Sequence, residues 1–194
     1  MDHIDREKTK LRTQMKKSLK LLAASELAEK SARLCACLAT AEFWPHLRAV
    51  AAFLPLPGEP DLRPLLEQAL REGKSLLLPR IDGEDLVFHE VLSLEKDLVL
   101  HAYGMPEPAP HLPRADFAGL AETLFLVPGL AFDRRGHRLG RGKGFYDRFL
   151  RRRGAGHIIL GTAFSCRILK TVPFDENDFL MTGGLVTDEG VILF

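Results

Sequence analysis

The chain has 194 residues, enough for one domain with a continuous core, and its 46% hydrophobic and 27% charged content is that of a soluble globular protein. A net charge of +1 gives no overall pull toward polyanions, so any charged partner must be met by a local patch. No apolar run approaches the roughly 18 residues of a membrane span, and the opening MDHIDREKTK lacks the apolar stretch of a secretory signal.

The three cysteines are sparse and odd in number. Cys35 and Cys37 do not follow the usual zinc-ligand spacings and sit in an Ala/Leu-rich segment, which reads as core packing. No disulfide framework is suggested, so the expected setting is a reducing cytoplasm. A monomer is expected.

The first forty residues read as two helices. Leu11, Met15, Leu19 and Leu22 recur at helical spacing, with Lys8, Arg12, Lys16 and Lys20 on other faces. Ser25 is the expected N-cap of the second helix. Residues 48–54 form a short apolar run stopped by Pro55, Pro57 and Gly58, as a buried strand would be. Residues 61–72 are helix-like and end at Gly73, a C′ glycine. Residues 75–78 predict a strand closed by Pro79, and 85–92 another, in which His89 is expected to face outward. The four prolines of 101–113 predict a loop. Residues 124–127 give a strand, 145–153 a helix ending at Gly154, 157–160 a strand, and 185–193 a terminal hairpin. Strand–helix alternation with near-continuous apolar strands predicts an α/β fold. The expected architecture is a three-layer sandwich around a mostly parallel central sheet, with an N-terminal helical addition. Ligands in such folds bind beyond the carboxyl ends of strands, which places loops 55–61, 79–84 and 128–144 at one rim.

The chemistry concentrates in residues 126–150, LVPGLAFDRRGHRLGRGKGFYDRFL. Gly136, Gly140, Gly142 and Gly144 alternate with Arg138, Arg141 and Lys143. Glycines let backbone N–H groups form a concave nest, while the cations between them suit phosphate oxygens. A helix starting near Phe145 would aim its N-terminus at the same place. Asp147, in its first turn, could cap that helix or hold a magnesium ion that bridges phosphates. The loop is not a Walker A motif, because Gly144 rather than Ser or Thr follows Lys143. Neither is it a dinucleotide fingerprint, because Phe145 stands where the third glycine belongs. A solvated turn is the bland alternative. Convergence of glycines, cations and a carboxylate between strand and helix favours a triphosphate site.

VPGLAFDRRGHRLGRGKGFYD resembles the signature of the 5-formyltetrahydrofolate cyclo-ligase family. Shorter resemblances span nearly the whole chain: Lys8-x-x-x-Arg12, Glu59-x-Asp61, Leu78-Pro79-Arg80, Tyr103 to Pro108, and Val172-Pro173-x-x-Glu176-Asn177-Asp178. The resemblance implies ATP- and Mg²⁺-dependent closure of 5-formyltetrahydrofolate to 5,10-methenyltetrahydrofolate, with ATP and a reduced folate as partners. It assigns Lys8, Arg12 and the run Arg138, Leu139, Gly140, Arg141, Gly142, Lys143, Gly144, Phe145, Tyr146 to the nucleotide. Within it, Arg141 and Lys143 are the catalytic candidates. Leu54, Glu59 and Tyr103 are assigned to the folate, together with Arg141 to Phe145, and Asp147 and Asp178 to the metal. Phe145 stands where tyrosine is frequent, Tyr103 where the family can carry Trp, Leu62 where Thr is common, and Pro60 stiffens the loop after Glu59. Gly183-Gly184 replaces a more acidic stretch.

Without the family, Lys8 and Arg12 read as a solvated helical face, Glu59 as a loop carboxylate, Tyr103 as a loop anchor, Asp178 as a turn cap and His137 as a spacer. A rival reading is nucleic-acid binding, since residues 134–153 hold many arginines interleaved with Phe145, Tyr146 and Phe149. Asp133 and Asp147 beside the glycines and the near-neutral chain argue against it, so no nucleic acid and no membrane is expected. A sugar-phosphate or CoA-type α/β enzyme is the other rival, and it would show no need for ATP.

Overall fold

Short strands of near-continuous apolar residues make the centre of the computed structural model, which describes residues 3–19, 23–101, 104–117, 120, 122–152 and 157–194. The strands are β1 (Ala49–Ala51), β2 (Ser75–Asp82), β3 (Asp85–Val91), β4 (Leu98–Leu100), β5 (Pro106–Pro108) and β6 (Thr123–Pro128). They continue with β7 (Ala131–Asp133), β8 (Arg138–Leu139), β9 (Ile158–Thr162), β10 (Ile168–Leu169), β11 (Gly184–Thr187) and β12 (Gly190–Leu193). The helices are α1 (His3–Leu19), α2 (Ala24–Ala39), α3 (Arg63–Arg71) and α4 (Phe145–Arg151). None of the described helices is long and apolar enough to cross a membrane.

Seven strands form one sheet in the order β12-β11-β9-β6-β1-β2-β3. The pairs from β11 to β2 are parallel, and both edge pairs are antiparallel hairpins. Successive side chains point to opposite faces, so each parallel strand must be apolar on both. Val50, Leu76, Leu78, Leu124 and Leu160 meet Leu34 and Leu38 of α2 and Leu65 and Leu66 of α3 on one face. Ala49, Ala51, Leu77, Phe125 and Val127 meet Leu150 of α4 and Phe132 of β7 on the other. Burial of each such side chain contributes roughly 1.5–3 kcal/mol. A small sheet, β10-β7-β8, lies beyond, and Met15 of α1 packs on it with Leu130, Ala131, Leu139 and Val172. The three-layer α/β architecture with a helical addition is as the sequence predicts.

Local details differ. Ser25 lies inside α2, whose N-cap is Ala23 with no side-chain cap bond. Pro79 does not close β2 but sits within it, opposite Phe88 of β3. Alternation explains this: the Leu77 carbonyl faces β1 and accepts from Ala52, so Pro79 turns its missing N–H to the same side, beyond the end of β1. The predicted loop 101–113 contains β5, paired with β4 so that Glu107 stands opposite Val99. His89 is not outward-facing. It is 2% exposed, with Nδ1 2.8 Å from the Leu112 carbonyl oxygen, because residues 112–115 cover the open edge of β3. The expected helix end at Gly154 lies outside the described residues.

Candidate active site

At the carboxyl ends of β1, β2 and β6 the chain surrounds a cavity of about 720 Å³. One wall is the apolar rim Phe53, Leu54 and Leu56 with Glu59. A second is the β2–β3 hairpin with Met105, Pro106 and Glu107, and the third is the Gly/Arg-rich loop from Pro128 to Arg148.

That third wall is built on Asp133, which is fully buried. Its carboxylate accepts hydrogen bonds from the amides of Arg135, His137 and Val172 and faces Nδ1 of His137 at 3.0 Å. Burial alone would raise the pKa of Asp133. The bonds from His137, Val172 and Arg135 outweigh that effect and hold the carboxyl below the ordinary range. His137, read from sequence as a spacer, is therefore part of the scaffold and stacks on Phe174 at 3.8 Å. Gly129 must be glycine, since a Cβ there would lie 2.6 Å from the Phe132 ring.

From this base the cations fan out. Arg138 is 5% exposed and donates to Asp147 Oδ1 at 2.6 Å and to the Pro128 carbonyl at 3.2 Å, with its guanidinium carbon 5.8 Å from the centre of the Tyr146 ring. Gly140 gives its carbonyl to Arg12 Nε at 3.0 Å, and Gly142 and Gly144 take positive φ of 103° and 67°. Arg141 donates from Nε and Nη2 to Glu59 Oε1, at 3.0 and 2.8 Å, while Glu59 Oε2 accepts the Leu56 amide. Lys143 makes no ion pair among the described residues and stands exposed on the cavity wall. The Tyr146 hydroxyl is buried with no hydrogen-bond partner among the described residues, and burial, then the charge of Glu59, push its pKa up.

The structure thus brings Leu54, Glu59, Arg138, Gly140, Arg141, Lys143, Gly144, Phe145, Tyr146 and Asp147 onto one cavity. Leu139 points into the core beside Met15 instead, and Gly142 packs against the Arg12 guanidinium. Lys8 is not a solvated lysine. It is 5% exposed and pairs with Asp175 at 2.5 Å and Asp178 at 2.6 Å, away from the cavity wall. Burial acts to lower its pKa, but the bonds to Asp175 and Asp178 win and raise it. Tyr103 lies outside the described residues.

For a divalent cation the fit is partial. No cluster of three metal-binding side chains occurs among the described residues. Asp147 lines the cavity and spends Oδ1 on Arg138 and the Phe179 amide, whereas Asp178 is held by Lys8 and the Asp175 amide. One carboxylate supplemented by phosphate oxygens is a donor set that Mg²⁺ accepts. Arg80 and Glu107, whose side chains meet at 2.7 Å, are a charged pair at the site that was not assigned from sequence. Their proline-rich surroundings masked the strand that carries Glu107.

Comparison with known proteins identifies the family. Residues 4–186 match the model of the 5-formyltetrahydrofolate cyclo-ligase family. A relative from Mycolicibacterium smegmatis, 5-formyltetrahydrofolate cyclo-ligase, is 34% identical over 75% of this chain and 76% of its own length. The solved structure of 5,10-methenyltetrahydrofolate synthetase from Aquifex aeolicus superposes with a TM-score of 0.83 at 32% identity, covering 96% of this chain and 92% of that one. A synthetase of the same name from Mycoplasma pneumoniae shares the fold, with a TM-score of 0.74 at 18% identity over 94% of this chain and 99% of its own. A chain matched over nearly its whole length in sequence and in fold belongs to the 5-formyltetrahydrofolate cyclo-ligase family.

Proposed function

We propose that this protein closes 5-formyltetrahydrofolate to 5,10-methenyltetrahydrofolate at the expense of ATP, releasing ADP and phosphate. The observation that carries the reading is the single cavity on which a glycine-spaced cationic loop faces an apolar rim bearing Glu59. The formyl oxygen attacks the γ-phosphorus, and the weak leaving group becomes phosphate. N10 of the same folate then attacks the activated carbon, phosphate departs, and N10 releases its proton to solvent. Such chemistry asks for positioning and charge neutralisation more than for covalent participation.

Arg141 and Lys143 are the groups that meet the transferring phosphoryl oxygens, with the amides of Gly140 to Gly144 around them. Arg138, stacked on Tyr146 and held by Asp147, sets the shape of that cradle. Arg12 belongs to the nucleotide side through its bond to Gly140, and Lys8 supports it from the same helix. Leu54, Glu59 and Tyr103 take the folate, Glu59 by accepting N–H donors. Mg²⁺ would be held by Asp147 and the nucleotide, with Asp178 close in the chain to Phe179, whose amide bonds Asp147. When bound, the ion would neutralise phosphate charge. The reaction is placed in the cytoplasm, by a monomer.

The test is direct. Protein, Mg²⁺, ATP and 5-formyltetrahydrofolate together should develop the absorbance of the methenyl product, and leaving out any one should abolish it. Turnover that proceeds without ATP, or none with all four present, would remove this reading.

A further inference from the structure

Two sequence stretches without an assigned role, Leu78–Arg80 and Met105–Pro108, meet at the inner wall of the cavity. Glu107 sits there on β5 and is 4% exposed. Arg80 Nη1 lies 2.7 Å from Glu107 Oε1, but the hydrogen bond of that nitrogen goes to the Pro108 carbonyl at 2.9 Å. The Ile81 amide reaches Oε2 only at 3.4 Å, and Oε1 has no hydrogen bond of good geometry among the described residues. A carboxylate taken out of water needs both a counter-charge and donors. Arg80 supplies the charge, and the donors are incomplete. The surrounding wall is apolar, formed by Leu78, Pro79, Ile81, Leu86, Met105 and Pro106. An apolar slot with a buried acceptor on one wall suits a flat heterocycle with N–H groups on its edge.

Resting on the cyclo-ligase reading, we infer that Glu107 is a specificity-determining residue for the folate, accepting the exocyclic amine and adjacent ring N–H of the pteridine. Arg80 is the positioning residue that holds its charge in place. A tetrahydropteridine carries donors at N3, at N8 and on the exocyclic amine, pointing in different directions, more than one carboxylate satisfies. Glu59 already shares its oxygens with Arg141 and the Leu56 amide. Glu107 is the second acceptor, set deeper in the slot. A ring lacking the donors would leave it buried and unpaired, the condition under which polar sites discriminate most strongly.

The test pairs a change in the protein with a change in the ligand. Binding of 5-formyltetrahydrofolate and of its 2-desamino analogue is measured by calorimetry on the wild type and on Glu107→Gln. Either change alone should weaken binding by about ten- to a hundredfold. Both together should be no worse than the poorer single change, because they delete the same contact. ATP affinity should stay within about twofold, which general damage to the cavity would not allow. Unchanged folate affinity in Glu107→Gln, or fully additive losses, overturns the inference. Should Glu107→Gln fail to fold, nuclear Overhauser contacts in the wild-type complex decide. The Glu107 side chain must lie against the amino protons of the pteridine, and its absence there overturns the assignment. Wild-type protein that turns over 5-formyltetrahydrofolate while Glu107→Gln binds it normally removes Glu107 alone. Wild-type protein that neither binds nor converts it removes the cyclo-ligase reading as well.

Discussion

Arg141 of the glycine-rich loop grips Glu59 of the opposite rim with two hydrogen bonds to one oxygen, at 3.0 and 2.8 Å. The cation proposed for phosphate and the acceptor proposed for pteridine neutralise each other when neither ligand is bound. A ligand that takes one partner releases the other, so the two sites are coupled, and the coupling is reciprocal. Glu59→Gln should weaken folate binding by about one to two decades, the effect of losing a charged acceptor. Nucleotide affinity should not fall, because Arg141 is freed. Calorimetric titration of each ligand checks this, and equal losses for both would indicate a damaged fold.

Lys143 stands unpaired among the described residues on the cavity wall. Lys143→Ala should therefore change stability by less than about 0.5 kcal/mol. Turnover should drop by roughly a hundredfold or more, the scale of losing a group aimed at transition-state charge. Arg141→Ala should lose a similar factor and up to about 1 kcal/mol of stability from its partly exposed ion pair. Near-native rates in a folded Lys143→Ala protein would take Lys143 out of the mechanism.

Asp147 has an observed ion pair and a proposed role, and asparagine separates them. It neutralises Arg138, which is 5% exposed, so Asp147→Asn should cost about 1–3 kcal/mol of stability. It also lines the cavity where a metal bridging phosphates would sit. The magnesium midpoint of turnover should rise, with partial rescue by added metal. A lower melting temperature with an unchanged magnesium midpoint would leave Asp147 as a structural partner of Arg138 only.

Asp133 predicts acid sensitivity of the loop. Its carboxyl titrates below the ordinary value in the folded chain, so the stability it contributes is present above about pH 4, the unfolded value. That stability is lost as pH falls through the folded value. Asp133→Asn should remove about 2–3 kcal/mol at neutral pH and flatten the acid limb of the unfolding curve. Denaturant melts between pH 7 and pH 3 measure both effects, and an unchanged acid limb would contradict the assignment.

The cavity's glycine-rich loop was legible because composition alone marks it: glycines and cations alternate and a strand and a helix flank them. The sheet was legible because both faces of its parallel strands are covered, which makes them apolar throughout. What stayed hidden depends on distant partners. Lys8 reads as a surface lysine until Asp175 and Asp178, 167 and 170 positions away, close on it. His89 read as outward-facing because β3 is an edge strand, and nothing local announces that residues 112–115 cover it. Glu107 was obscured by Pro106 and Pro108, which suppress every strand signal while remaining tolerable in a two-stranded ribbon.

The loop at the heart of the site is fastened from both directions along the chain. Arg12 in α1 holds the carbonyl of Gly140, the Met181 amide holds that of Gly136, and Lys8 ties α1 to the segment that leads to Met181. A nascent chain can therefore carry the whole glycine-rich sequence out of the ribosome and still have no finished cradle. The helix waits for residues made 167 and 170 positions after Lys8, and the loop acquires its shape when the two meet. Catalytic competence should accordingly appear only after residue 181 has been made, and a chain stopped before it should retain much of its sheet while lacking the cradle.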